Sequence, residues 1–102
     1  MENVEELTSS QVREMLAENK PLQLIDVREP HEYAQGHIPG SVLIPMGDIP
    51  LRLNEIDREQ SAVIICRSGR RSALVCQYLG DAGYGNVKNL AGGMLAWTGE
   101  VE

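Results

Sequence analysis

The sequence predicts an α/β fold, with a parallel β-sheet covered by helices on both faces. Two features carry that expectation. Strand-like and helix-like segments alternate along the 102 residues, with connections too long for hairpins, so successive strands run in the same direction. One segment, Ala62-Val63-Ile64-Ile65-Cys66, is continuously apolar and rich in β-branched residues, as a central strand buried on both faces must be. The whole chain, residues 1–102, reads as one domain.

The elements follow in order. Val4 to Leu7 is a candidate edge strand. Thr8 is placed to cap a helix, Gln11 completes a capping box, and Leu7 and Val12 are spaced for a hydrophobic staple. That helix is expected to run to about Asn19, where Pro21 blocks its continuation. Leu22 to Val27 reads as a strand interrupted by Asp26, and His31 opens a short surface helix. Ser41 to Ile44 is a second short strand, stopped by Pro45. Ile49, Leu53 and Ile56 recur at helical spacing. After the apolar strand comes a helix from Ser72 to Ala82, apolar over most of its circumference and therefore buried, with Gly83 closing it. Val87 to Leu90 is a weak strand, and Gly92 to Trp97 a turn leading into a terminal helix.

Composition narrows the function classes. An apolar content of 42 % with 24 % charged residues is ordinary for a globular chain, and a domain of this length buries roughly 60–70 % of the surface its unfolded chain exposes. The net charge of −6 opposes nucleic acid and anionic membrane surfaces as partners. No apolar run approaches the ~20 residues that span a bilayer. The acidic start, Met1-Glu2-Asn3-Val4-Glu5-Glu6, has no apolar core of a secretory signal and reads as a solvated face, so a cytoplasmic protein is expected. Its two cysteines, Cys66 and Cys76, are then free thiols.

In parallel α/β folds ligands bind beyond the carboxyl ends of the strands, and the apolar strand ends on a cysteine. The segment that follows, Cys66-Arg67-Ser68-Gly69-Arg70-Arg71-Ser72, links a buried strand to a buried helix. Its N–H groups can converge on one point, the helix N-terminus adds positive potential there, and Gly69 permits tight curvature. Arg67, Arg70 and Arg71 gather three of the chain's nine basic residues. Each of these features favours a thiolate at Cys66. An inert buried cysteine would leave the glycine and the three arginines unexplained.

Four stretches of the chain resemble the rhodanese homology domain, in order and at fitting spacing: Asp26-Val27-Arg28-Glu29, Gly36-His37-Ile38-Pro39-Gly40-Ser41, Cys66-Arg67-Ser68-Gly69-Arg70-Arg71, and Leu90-Ala91-Gly92-Gly93-Met94-Leu95-Ala96-Trp97. The resemblance spans nearly the full length. It implies a five-stranded parallel sheet flanked by helices and a persulfide carried on Cys66, cradled by the N–H groups of Arg67, Ser68, Gly69, Arg70 and Arg71. The implied activity is sulfurtransfer by double displacement, from a small donor such as thiosulfate to cyanide or a thiol, or through a protein sulfur carrier. No metal or organic cofactor is required. Asp26 and Arg28 support the site rather than react; Arg28 is expected to pair with an acid such as Glu32.

The remaining polar landmarks have plainer expectations. His31 and His37 with a lone cysteine match no zinc pattern. Cys76, roughly two turns into its helix, is too far to bridge Cys66 and reads as core packing. Gly92 and Gly93 let the chain turn closely beside the Cys66 loop, and Trp97 plugs the core. Two other functions compete with sulfurtransfer. One is a non-enzymatic carrier or regulatory module, which such domains often serve without the cysteine. The other is a cysteine phosphatase or arsenate reductase, whose loop reads C-x5-R; here Ser72 occupies the arginine's place and Arg71 comes one residue early.

Overall fold

A computed structural model describes residues 4–102. The tip of the acidic start, Met1 to Asn3, lies outside them. Five strands form one sheet: β1 (Glu6–Leu7), β2 (Gln23–Asp26), β3 (Val42–Leu43), β4 (Ala62–Ile65) and β5 (Val87–Leu90). They lie in the order β1-β5-β4-β2-β3, and every pairing is parallel. The sheet predicted from alternation is therefore present.

Side chains alternate across the pleat with a period of two, and this divides the core in two. Ile25, Ile64 and Cys66 face one side, where they pack with Val75, Cys76 and Leu79 of α3 (Arg70–Asp81). Leu24, Val63 and Ile65 face the other, with Val12 of α1 (Ser9–Ala17) and partly buried Met94 and Trp97 at the C-terminal end. All four residues of β4 are buried, as its unbroken apolar run requires. Helices thus cover both faces.

Local signals explain most element ends. The Thr8 hydroxyl accepts from the Gln11 N–H and the Gln11 side chain accepts from the Thr8 N–H, which completes the capping box. That helix ends at Ala17, before the expected Asn19, because Asn19 takes a left-handed backbone with φ of 55°. Pro30 opens the short α2 (Pro30–Ala34), which contains His31. The expected edge strand shrinks to Glu6–Leu7. The larger departure is at Ile49 to Ile56, which forms no α-helix. Met46–Leu51 and Leu53–Glu55 are 3-10 stretches instead. Pro50 lies inside the first; it has no N–H to donate, and its ring opposes a continuous α-helix.

The strand order places the site. From β2 the chain moves to one side to form β3; from β4 it moves to the other to form β5. The loops after β2 and β4 therefore diverge, leaving a crevice at their carboxyl ends.

Candidate active site

Cys66 follows β4 directly and is fully buried. The next residues wrap around its sulfur. Gly69, at φ of 95°, turns the chain into α3 in a conformation that side chains rarely adopt, and its N–H donates to Cys66 Sγ at 3.0 Å. The Ser72 hydroxyl lies 3.2 Å from the same sulfur. Because α3 starts at Arg70, two residues before the expected Ser72, the Ser72 side chain is in its first turn and aims back at the thiol. Burial pushes the Cys66 thiol up. Hydrogen bonding from the Ser72 hydroxyl and from the N–H groups of Ser72, Gly69 and Ser68 outweighs it, so the group lies below the ordinary thiol value. The sequence ascribed much of this effect to the arginines; short-range hydrogen bonds supply the leading contributions.

The outer side of the loop is held by the Gly92-Gly93 turn. Met94 and Leu95 donate to the carbonyls of Cys66 and Arg67 at 2.9 and 3.0 Å. A Cβ on Gly93 would sit 2.5 Å from the Cys66 oxygen, so no other residue fits there without moving the loop. The pair turns the chain close beside the loop, as expected.

One supporting residue was not foreseen. Asn89 of β5 is 1 % exposed. Its Nδ2 donates to the Gly69 carbonyl at 2.9 Å and to Glu6 Oε2 at 3.0 Å, which leaves Oδ1 as the acceptor for the Ser72 hydroxyl. The available signal was an asparagine in a strand, where it is disfavoured, at a position facing α3.

The three arginines have different fates. Arg67, in the loop, and Arg70, at the start of α3, are exposed. Arg71 instead makes a bidentate pair with Glu32, at 2.7 and 2.8 Å. This corrects the expected Arg28–Glu32 pair. Arg28 is buried and turns back to Asp26, donating from Nε at 2.9 Å and from Nη2 at 2.8 Å. Arg28 Nη2 also donates to the Gly36 carbonyl at 2.8 Å, tying the segment after β2 to the Gly36–Ser41 turn. Spacing alone allowed Glu32 either partner; Asp26 takes Arg28 because both side chains are buried at the strand end. His37 stacks on Tyr33, ring centroids 3.8 Å apart, away from the sulfur's hydrogen-bond partners. Cys76 is a buried free thiol in the core beneath α3, pushed up to about 12, chiefly by burial.

The site is thus a buried cysteine hydrogen-bonded by loop N–H groups and a serine hydroxyl, at the carboxyl-end crevice of a parallel α/β sheet. Comparison with known proteins resolves the family. The model of the rhodanese-like domain matches residues 8–100, and the chain belongs to that family. A sulfurtransferase of Allochromatium vinosum is 46 % identical over 93 % of this chain and 89 % of its own. The crystal structure of a rhodanese-like domain protein from Staphylococcus aureus superposes with a TM-score of 0.91 at 40 % identity, covering 97 % of each chain. A thiosulfate sulfurtransferase from Pseudomonas aeruginosa gives a TM-score of 0.88 at 28 % identity, over 97 % of this chain but 20 % of that one.

Proposed function

We propose that this protein is a sulfurtransferase that moves sulfane sulfur through a persulfide on Cys66. The observation that carries the reading is the hydrogen bonding of Cys66 Sγ by the Gly69 N–H and the Ser72 hydroxyl at a lowered thiol pKa. A thiolate is the form that attacks sulfur. It would attack the outer sulfur of thiosulfate; the new S–S bond forms as the bond to the sulfonate sulfur breaks and sulfite leaves with the electron pair. The loop N–H groups from Arg67 to Arg71 would then surround the outer, charged sulfur of the persulfide, as fixed donors aimed at developing charge do. Cyanide or a thiol, free or on a protein carrier, would remove that sulfur and return the thiolate. Arg67 and Arg70 would draw the anionic donor in, and Asp26 with Arg28 would hold the neighbouring loop in place. The chemistry calls for no cofactor. The two free thiols fit a reducing compartment such as the cytoplasm.

The relatives named as sulfurtransferases support this reading, and the Pseudomonas protein makes thiosulfate the donor to test first. The decisive measurement is the intact mass after incubation with thiosulfate, paired with turnover to cyanide. The wild type should gain one sulfur and produce thiocyanate; folded Cys66→Ala should do neither. Turnover by that variant would overturn the assignment.

A further inference from the structure

Three arginines at the loop suggest a site built for strongly anionic donors, but the structure removes one of them. Arg71 is engaged at both ends of its guanidinium fork by Glu32. Glu32 is itself held from the other side, where Oε1 accepts the Glu29 N–H at 2.9 Å, so the carboxylate is fixed at the rim. The Arg71 guanidinium holds the Glu32 carboxyl down to about 2, which keeps the pair charged throughout the neutral range. Arg71 also sits in the first turn of α3, one residue before the Ser72 whose hydroxyl lies 3.2 Å from Cys66 Sγ, and Cys66 is among the groups that raise the Arg71 pKa. Whatever neutralises Arg71 therefore changes the potential at the sulfur. Arg67 and Arg70 form no ion pair among the described residues and remain to meet a donor.

We infer that Glu32 is a specificity-determining residue: by cancelling Arg71 beside the loop it turns the site against doubly charged sulfur donors and toward donors with one negative charge, such as thiol persulfides and organic thiosulfonates. The inference rests on the sulfurtransferase reading and names the donor class for the same site. Thiosulfate brings two charges and methanethiosulfonate one, yet the reacting bond is the same type. The thiolate takes the outer sulfur from either, and the electron pair of the broken S–S bond leaves on sulfite or on methanesulfinate.

The test compares second-order rates of Cys66 persulfide formation with these two donors in the wild type, Glu32→Gln and Glu32→Asp. Removing a carboxylate beside a charged site changes an anion's capture by roughly tenfold. Glu32→Gln should accordingly raise the thiosulfate rate about tenfold and the methanethiosulfonate rate about threefold, as half the charge implies, and salt should shrink the difference. Glu32→Asp should keep the wild-type ratio. A double variant, Glu32→Gln with Arg71→Gln, removes both charges and should return the ratio toward that of the wild type. Any change in Cys66 ionisation acts on both donors alike and cancels in the ratio. An unchanged donor ratio in Glu32→Gln, with Cys66 still loaded, overturns this inference alone. No loading from either donor, in any of the proteins, overturns the sulfurtransferase reading with it.

Discussion

The Ser72 hydroxyl has one proton and two acceptors, Cys66 Sγ and Asn89 Oδ1. When Cys66 is ionised the hydroxyl donates its hydrogen bond to the sulfur, because a hydrogen bond to a charged acceptor is the stronger one. Replacing Ser72 by Ala should raise the Cys66 thiol pKa. The rate of alkylation against pH would show its midpoint displaced upward. Cys76 provides an internal reference, since a thiol near 12 stays unlabelled at neutral pH. A midpoint unmoved in Ser72→Ala would leave the backbone N–H groups as the whole cause. At this scale the sequence revealed Cys66, because glycine and arginines crowd around it. Asn89 stayed hidden: Val87-Lys88-Asn89-Leu90 reads as a weak strand, and nothing local says that its third residue faces a loop some twenty positions earlier. The Glu32–Arg71 pair was equally illegible, since it joins residues 39 apart in sequence.

Among the elements, α3 governs the chemistry through where it begins. Arg70 is its first residue, so only Arg67, Ser68 and Gly69 separate it from Cys66, and the N–H groups converge on one atom. A loop one residue shorter than C-x5-R is expected to suit a single sulfur atom better than a tetrahedral oxyanion. The wild type should transfer sulfur and show negligible hydrolysis of an aryl phosphate. Inserting one residue between Gly69 and Arg70 would carry Arg71 into the C-x5-R register and pull the Gly69 carbonyl from its Asn89 partner; that protein should lose sulfurtransfer. Efficient aryl phosphate hydrolysis by the undisturbed loop would count decisively against the proposed reaction. The helix was legible as an apolar run, but its start was misplaced by two residues because Arg70 and Arg71 looked like loop. The 3-10 stretches were misread for a related reason. Ile49 and Ile56 are buried as a helical pattern asks, but two short 3-10 pieces satisfy that burial as well, and Pro50 decides between them.

At the scale of the molecule, the sheet was legible because its centre is unambiguous. Its edges were legible in place but not in length: the strands expected at Val4 to Leu7 and Ser41 to Ile44 are two residues each, β1 and β3, and strands this short exist only through their neighbours. Strand order is likewise set by packing rather than by any local signal. The Glu32–Arg71 pair joins α2 to α3 across the crevice and makes stability depend on acid. Its carboxyl titrates at about 2 in the fold against 4.5 when unperturbed. A folded-state value below the unfolded one means the contribution is fully present above pH ~4.5 and is lost as pH falls through ~2. Because Arg71 is about one-third exposed, water screens the pair, and the contribution is on the order of 1 kcal/mol. The thermal midpoint of the wild type should therefore fall between pH 5 and 2 more steeply than that of Glu32→Gln. Parallel acid limbs would mean the pair adds nothing to stability.

The turn at Gly92-Gly93 does more than fill space. By donating to the outward carbonyls of Cys66 and Arg67, the residues after it satisfy the loop's acceptors from behind and leave its donors facing the sulfur. The recess is thus polarised by backbone donors and the Ser72 hydroxyl, and the arginines only add to that field. Such a surface rectifies by sign: an anion entering it meets hydrogens, whereas a soft cation, for which a thiolate would otherwise be an attractive ligand, meets them too and gains no oxygen to replace its water. The fold that holds the Cys66 thiol below its ordinary value thus surrounds it with donors, and the described residues bring no group of three or more His, Cys, Asp or Glu together to hold a metal ion.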